Sequence, residues 1–246
     1  MWRVISLESH PAAENMAIDE TIGNELCEGR SQPTIRFYTW RSPAVSIGYF
    51  QCIRDEVDIA ACQSGGVDYV RRRTGGGAVY HDPAGEITYS IIAPESYFPN
   101  GIRESYDHIC SCMISGLFEL GIDASFRPIN DVTVDGRKIS GSAQTRRKGV
   151  LTQHGTILFQ LDREAMFSVL KPPKAKLADK PFKRFEDGVT SVSELCDATK
   201  EELYHALLRG FTRAKEWRYG TLTDHEQLLV PALKDKYVSD TWNFSR

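Results

Sequence analysis

The hydrophobic positions of this chain change period from stretch to stretch, and each period predicts an element. In AAENMAIDETIGNELCEG (12–29), Met16, Ile18, Ile22 and Leu26 are spaced for one helical face, and Gly29 can end the helix. TIRFYTW (34–40) and AVSIGYF (44–50) are rich in β-branched and aromatic residues and predict two strands joined at Arg41-Ser42-Pro43. DEVDIAACQSGG (55–66) predicts a short helix stopped by glycines, and VDYVRR (67–72) a strand that runs into a glycine loop. EITYSIIAP (86–94) alternates as a strand, and IRESYDHICSCMISGLFELG (102–121) has the period of a long amphipathic helix. Residues 131–161 predict a meander of short strands with turns at Asp135-Gly136 and Lys148-Gly149, Asp-Gly being a strong hairpin signal. From residue 198 onward KEELYHALLRGFTRA and DHEQLLVPALKDKY predict helices.

Strands and helices in this order predict an α+β protein, a mixed or mostly antiparallel sheet with helices packed on it. No internal repeat or low-complexity linker divides residues 1–246, so a single domain is expected. A hydrophobic content of 41% supplies an ordinary core. A formal net charge of −3 gives no general attraction to nucleic acid or to an anionic membrane, so a basic site must be local. The first twenty residues carry polar groups throughout and predict no signal peptide, and no stretch reaches the roughly 20 apolar residues of a membrane span. Six scattered cysteines in a chain of this length read as reduced thiols of a cytoplasmic protein, and Cys110-x-Cys112 has no second pair at zinc spacing.

The candidate chemistry lies in RRRTGGGAVYHD (71–82). Three consecutive glycines free the backbone N–H groups for close approach, and three arginines beside them repel one another unless an anion neutralises them. The stretch is neither a Walker loop nor a dinucleotide fingerprint, because both of those open a helix. In an extended segment Arg71 and Arg73 share a face and Arg72 takes the other, so at most two of the three reach one ligand. His81 could orient a ligand, but a lone histidine reads first as a satisfied structural one. A second basic segment, DGRKISGSAQTRRKG (135–149), predicts Lys138 and Ser140 on one strand face, with Lys138 as a point charge at a reacting centre or as a solvated hairpin residue. Asn130-Asp131 offers an amide and a carboxylate, or simply a turn. QHGT (153–156) reads as a pocket wall or as a strand bulged at Gly155. KPPKAKLADKPFKRFEDGVTSV (171–192) predicts an exposed basic loop.

Taken in order, RRRTGGGAVYHD, ND before a strand, GRKISGSAQ, QHGTIL and LKPPKAKLADK resemble the lipoate–protein ligase A family, as do RFYTW, SIGYFQ and KYVSDTWN elsewhere in the chain. The resemblance implies the biotin/lipoate ligase fold, related to class II synthetase cores. It implies an enzyme that activates lipoate with ATP and Mg²⁺ to lipoyl-AMP and passes the lipoyl group to a lysine. The acceptor would be the lipoyl domain of a 2-oxoacid dehydrogenase E2 or the glycine-cleavage H protein. Lys138 then matches the central lysine that contacts acyl oxygen and phosphate. Arg72, Thr74, Gly75, Gly76, Gly77, Ala78, Val79, Tyr80 and His81 match the segment lining the adenylate and acyl carbonyl. Asn130 and Asp131 match the position near the metal and α-phosphate, with Asp131 the metal ligand. Ser140, Gly141, His154, Gly155 and Thr156 match pocket-lining positions, and Lys174 the segment covering the adenylate. An apolar tunnel for the tail is expected at Trp40, Val45 and Ile47.

Octanoyl- and lipoyltransferases share that fold but pass the acyl group through a cysteine thioester. In one such group the cysteine lies just before the HG segment, where this chain has Leu151; in another it precedes the Lys138 strand, and FRPIND (126–131) has none. The sequence therefore favours a ligase. Two-domain ligases carry an additional accessory domain absent from these 246 residues, so a separate small accessory subunit is an expected partner. A non-catalytic lipoate-binding protein is the third reading, opposed by Lys138 and the glycine loop.

Overall fold

The computed structural model describes residues 1–171 and 188–246, so Lys174 and the basic stretch around it lie outside the described residues. In chain order the strands are β1 (Trp2–His10), β2 (Thr34–Trp40), β3 (Ala44–Ile47), β4 (Asp68–Arg71), β5 (Val79–His81), β6 (Glu86–Pro94), β7 (Ser125–Arg127), β8 (Asp131–Val134), β9 (Arg137–Arg147), β10 (Val150–Leu158) and β11 (Trp217–Tyr219). The helices are α1 (Ala12–Cys27), α2 (Ile53–Glu56), α3 (Ile59–Gly65), α4 (Ile102–Glu119), α5 (Arg163–Val169), α6 (Lys200–Thr212), α7 (Asp224–Val238) and α8 (Asp240–Asn243). Eight strands form one sheet in the order β11-β1-β2-β6-β10-β9-β8-β7, and β4-β3-β5 form a second. In the large sheet β1 is parallel to β2 and β11, and the other neighbours are antiparallel. The architecture is the expected α+β one, with a mixed sheet.

Most predicted elements are present, and the turns explain the meander. Asp135-Gly136 and Lys148-Gly149 each hold two consecutive residues at positive φ (49° and 77°, 49° and 76°), the requirement of a tight hairpin turn. The expected 55–66 helix is two short ones, because Val57 leaves the helical path to pair with Leu170. The expected strand 44–50 stops at Ile47. β7 and β11 are three residues each, too short to show a period, and β1 is buried over Trp2–Ile5 on both faces, which erases the period-2 signal.

Alternation along the central strands divides the large sheet into two faces. Phe37, Tyr89, Ile91, Leu151 and Ile157 pack with Met113 and Leu117 of α4 and Leu207 and Phe211 of α6. On the other face Ile92 and Val150 pack with Met16 and Ile22 of α1 and Val230 and Tyr237 of α7. That second face also carries Arg36, Thr88, Ser90, His154 and Thr156, all buried polar residues. The small sheet closes over it and has its own core of Val45, Ile47, Ile53, Cys62 and Val169. Val45 and Ile47 are 0% exposed and Trp40 is 2%. The three residues expected to line a tunnel for the tail lie buried in these cores. No helix among the described residues is long and apolar enough to cross a membrane.

Candidate active site

The three arginines that precede the glycines turn inward or sideways, and each takes a different protein partner. Arg71 is completely buried and donates to the carbonyl oxygens of Gly48, Tyr49 and Gln51 on one side and of Trp242 and Asn243 on the other. It thereby ties α8 to the segment beside the glycine loop. Arg73 pairs with Glu20 of α1 at 3.1 Å. Arg72 uses all five of its N–H donors inside the protein: Nε on Thr74 Oγ1 (3.2 Å), one terminal nitrogen on Ser46 O and Oγ (3.0 and 3.2 Å), the other on the carbonyls of Gly75 and Gly77 (2.7 Å each). Burial pushes its guanidinium down to about 10. No Arg72 donor is left for an anion. A trans peptide carries its N–H opposite its C=O, so carbonyls drawn to Arg72 turn the N–H groups of Gly76 and Ala78 outward. Neither has a partner among the described residues. Arg72 therefore shapes a donor pair in the glycine loop, and Gly76 at φ 91° supplies the backbone conformation that the loop requires.

Two histidines flank Arg72 through hydroxyls. His81 Nδ1 is 2.8 Å from Glu86 Oε1, and its Nε2 is 2.8 Å from Ser46 Oγ. The ring stacks on Trp40 at 3.8 Å. His154 Nε2 is 2.7 Å from Thr74 Oγ1, and its Nδ1 faces Asp19 Oδ2 at 3.7 Å. Asp19 Oδ1 is held by Arg36 (3.0 Å) and Ser90 (2.8 Å), while Oδ2 is buried without a hydrogen-bond partner. Burial, with a smaller push from Arg72, lowers the His154 pKa against the pull of Asp19. Burial alone would raise the Asp19 carboxyl, but His154 and Arg36 hold it below the usual range. Asp19, Glu86 and Ser46 were not among the sequence candidates. The available signal was a polar residue on a buried helical face: Asn15, Asp19 and Ile22 share one side of α1, and all three are buried.

Lys138 reaches the site through a register shift. Asp131 pairs with Gly141 and Val132 with Ser140, but Thr133 pairs with Lys138, leaving Ile139 as an extra residue on β9. The bulge returns Lys138 to the face of Asp131 and Gly141 instead of the face of Ser140. Its Nζ lies 2.7 Å from Asp131 Oδ1, and a Cβ on Gly141 would fall on that ammonium group. Ser140, expected beside Lys138, is fully buried, and its Oγ has no partner. Burial alone would raise the Asp131 carboxyl, but Lys138 and Arg127 hold it below the usual range. Asn130 donates to Ser142 O at 2.6 Å, bracing β8 against β9. Gly76 lies near Ala143, next on the Gly141 face, so loop and strand are neighbours. Thr156 pairs with Gly141 across β9 and β10 on the same face. Gly155 belongs to the opposite face, where a Cβ would meet Ser142 and Tyr89; β10 runs past it with no bulge. Tyr80 joins the small-sheet core, and Val79 pairs with Ser46.

A cleft opens between α1, β10, α7 and the glycine segment. Met16, Gly23, Val150 and Thr152 form its wall, Thr74 and His154 its inner end, and Arg73 and Arg147 its rim. Cys27 is the one cysteine on this cleft. Cys110 is fully buried and pushed up to about 12 by burial. Among the described residues no group of three or more His, Cys, Asp or Glu side chains is placed to hold a metal ion.

The sequence pattern of the lipoyl protein ligase A/B catalytic domain matches residues 11–212. The chain is 39% identical over 273 alignment columns to an octanoyltransferase LipM from Kyrpidia tusciae, covering all of this chain and 99% of that protein. Among solved structures it is similar to a bi-partite lipoate protein ligase from Thermoplasma acidophilum, studied with its E2 lipoyl domain. That match has 32% identity, a TM-score of 0.86 and coverage of 98% and 95% of the two chains. It is also similar to a lipoate-protein ligase A bound with ATP, at 29% identity and a TM-score of 0.85, covering 98% of each chain. A conserved-fold match of this extent, together with the glycine segment and the Lys138 strand meeting on one sheet face, places the chain in the lipoyl protein ligase A/B catalytic-domain family.

Proposed function

We propose that this protein is an ATP-dependent lipoate–protein ligase, which forms lipoyl-AMP and passes the lipoyl group to a lysine of a lipoyl domain or glycine-cleavage H protein. The observation that carries this reading is the Lys138 ammonium held over the bare Cα of Gly141, beside Asp131, on the strand face whose next residue, Ala143, is approached by Gly76 of the glycine loop. Attack of a carboxylate on the α-phosphate concentrates negative charge, which an ammonium and oriented N–H groups stabilise. The apolar tail would enter the cleft along Met16, Gly23 and Val150, with its carboxyl toward Thr74. Magnesium bound with ATP commonly keeps only one or two protein carboxylates. Asp131 fits that role once phosphate oxygens draw Lys138 and Arg127 away from its two oxygens.

The second reading is acyl transfer from a thioester, as the name of the Kyrpidia tusciae relative suggests. It needs a cysteine. The 246 residues of this chain spread over 273 columns against that relative, and the three residues joining β7 to β8 include no cysteine. Cys27 on the cleft is the remaining nucleophile for that route. Localisation in the cytoplasm and a small accessory subunit that assists adenylation, in keeping with the bi-partite relative, complete the proposal.

The deciding experiment incubates the protein and a lipoyl-domain acceptor with lipoate plus Mg·ATP, with lipoyl-AMP, or with an octanoyl thioester, and reads acceptor mass. Acylation from lipoyl-AMP but not from the thioester is expected, and it persists in Cys27→Ser. Transfer from the thioester that disappears in Cys27→Ser overturns the ligase reading. In the Mg·ATP arm, Lys138→Ala should lower adenylate formation by roughly 10²–10³-fold.

A further inference from the structure

Beside the glycine loop, aromatic rings and arginines form a surface that no contact inside the protein explains. Phe50 is 72% exposed, and its ring lies 4.0 Å from the point where a Cβ on Gly75 would stand. Tyr49 meets Phe50 edge-on, with ring centres 5.0 Å apart. Arg246 lies over both rings, 4.9 and 5.2 Å from their centres, and Arg147 lies over Tyr49 at 5.7 Å. We propose, resting on the acyl-transfer reading, that this surface docks the protein acceptor through carboxylates that flank its target lysine.

The charge of the patch is unbalanced. Its neighbours Arg73 and Lys236 are both neutralised by Glu20. Arg147 and Arg246 are exposed, have no carboxylate partner among the described residues, and rest on rings alone. Lys148 follows Arg147 at the exposed hairpin tip. Arg246 and then Arg147, against some burial, hold the Tyr49 phenol below its ordinary range. The chain as a whole carries a formal net charge of −3, so this positive edge is local and suits an acidic partner. An exposed phenylalanine framed by tyrosine and arginine is the composition of an interface centre and has no use for a small anion alone.

The position fits transfer. β9 pairs regularly with β10 from Ser140 to Arg147, so Gly141, Ala143 and Arg147 share one face. Gly76 approaches Ala143 on that face, and Phe50 stands against Gly75. At about 3.3 Å per residue, Arg147 is roughly 20 Å along the strand from Gly141. A standard interface buries roughly 800 Å² of each partner, a disc about 30 Å across. A domain seated on Phe50 therefore spans the glycine loop and brings its lysine to the strand that carries Lys138.

The test measures KM and kcat for two acceptors, with lipoyl-AMP or an octanoyl thioester as donor. One acceptor is a lipoyl domain with carboxylates beside its lysine; in the other those carboxylates are replaced by lysines. Arg246→Glu combined with Phe50→Ala should raise KM for the acidic acceptor about 30-fold and leave kcat at saturation unchanged. Salt raised from about 0.05 to about 0.5 M should weaken the wild-type reaction about tenfold and the double variant little. Arg147→Glu should reverse the wild-type order and prefer the lysine-flanked acceptor, which loss of structure alone cannot do. An acceptor KM unchanged in both variants overturns the inference. So does an Arg246→Glu protein whose KM for ATP rises while its acceptor KM stays, since the patch would then serve a nucleotide. A wild-type protein that acylates neither acceptor from either donor or from lipoate with Mg·ATP instead sinks the acyl-transfer reading itself.

Discussion

At the scale of the residue, two glycines on neighbouring strands have opposite duties. The Cβ of an alanine at 141 would lie 2.6 Å from Lys138 Cε and on top of its Nζ, but the far end of a lysine can swing away. Gly141→Ala should therefore change thermal stability by less than about 1 kcal/mol. It should nonetheless lower adenylate formation nearly as much as Lys138→Ala does, measured by pyrophosphate release. A stable and fully active Gly141→Ala protein would show that Lys138 works from another position. At 155 the added Cβ would stand 2.7 Å from Ser142 Oγ, 2.8 Å from Tyr89 Cε1 and 3.0 Å from a backbone carbonyl, none of which can retreat far. Gly155→Ala should cost about 1–3 kcal/mol in denaturant unfolding, the range of an overpacked core. Both residues stand in the family-like motifs, yet only Gly141 serves the face that carries Lys138.

At the scale of the element, Arg71 makes a short C-terminal helix part of the site. Its guanidinium joins the carbonyls of residues 48, 49 and 51 to those of 242 and 243, while Asn243 Oδ1 accepts from the Arg71 backbone and Trp242 Nε1 donates to its carbonyl. Arg71→Met keeps the bulk but strands buried carbonyls, each worth roughly 1–3 kcal/mol when left unsatisfied. Amide hydrogen exchange should then speed up in residues 72–78 and 240–246 together. Faster exchange in only one of the two would show that α8 and the glycine loop are independent. On the opposite face α4 and α6 meet through Gly116 and Gly210, where a Cβ on Gly116 would approach Ala206 O to 2.6 Å. That close crossing seats the apolar face of the sheet and leaves the polar face for chemistry.

At the scale of the whole molecule, buried charge makes stability depend on pH in two stages. His154 has a folded pKa below its usual 6.5, so the unfolded chain binds the extra proton first, and stability falls as pH drops below 6.5. The carboxyls come next. Burial would raise Glu226, but Arg3, at 2.6 and 2.8 Å, Thr223 and Ser31 hold it below its usual 4.5. With Asp19 it contributes stability that is present above the ordinary carboxylate range and lost as pH falls through the folded values. Chemical denaturation across pH 3–8 should show a shallow loss and then a steep one, and His154→Asn should remove the shallow one and weaken the Asp19 part of the steep one while leaving the Glu226 part in place. A single acid transition in the unaltered protein would contradict this ordering.

The sequence by itself determined the helices with a clear 3.6-residue period, the two hairpin turns, the α+β class, and the short segments that carry the chemistry. These depend on local propensity and turn stereochemistry, which act over a few residues. Only the tertiary structure decided which way each of these side chains points. The arginine run looked like an anion cradle because like charges repel when no partner is known; their partners are carbonyls and carboxylates up to 172 residues away. Lys138 looked like a neighbour of Ser140 because a strand alternates, and the bulge at Ile139 reversed that parity. Asp19 showed only as a polar residue on a buried helical face, and Glu86 not at all, because their value comes from histidines that other strands deliver. Local pattern sets what an element is, whereas register and packing between distant elements set which of its atoms meet.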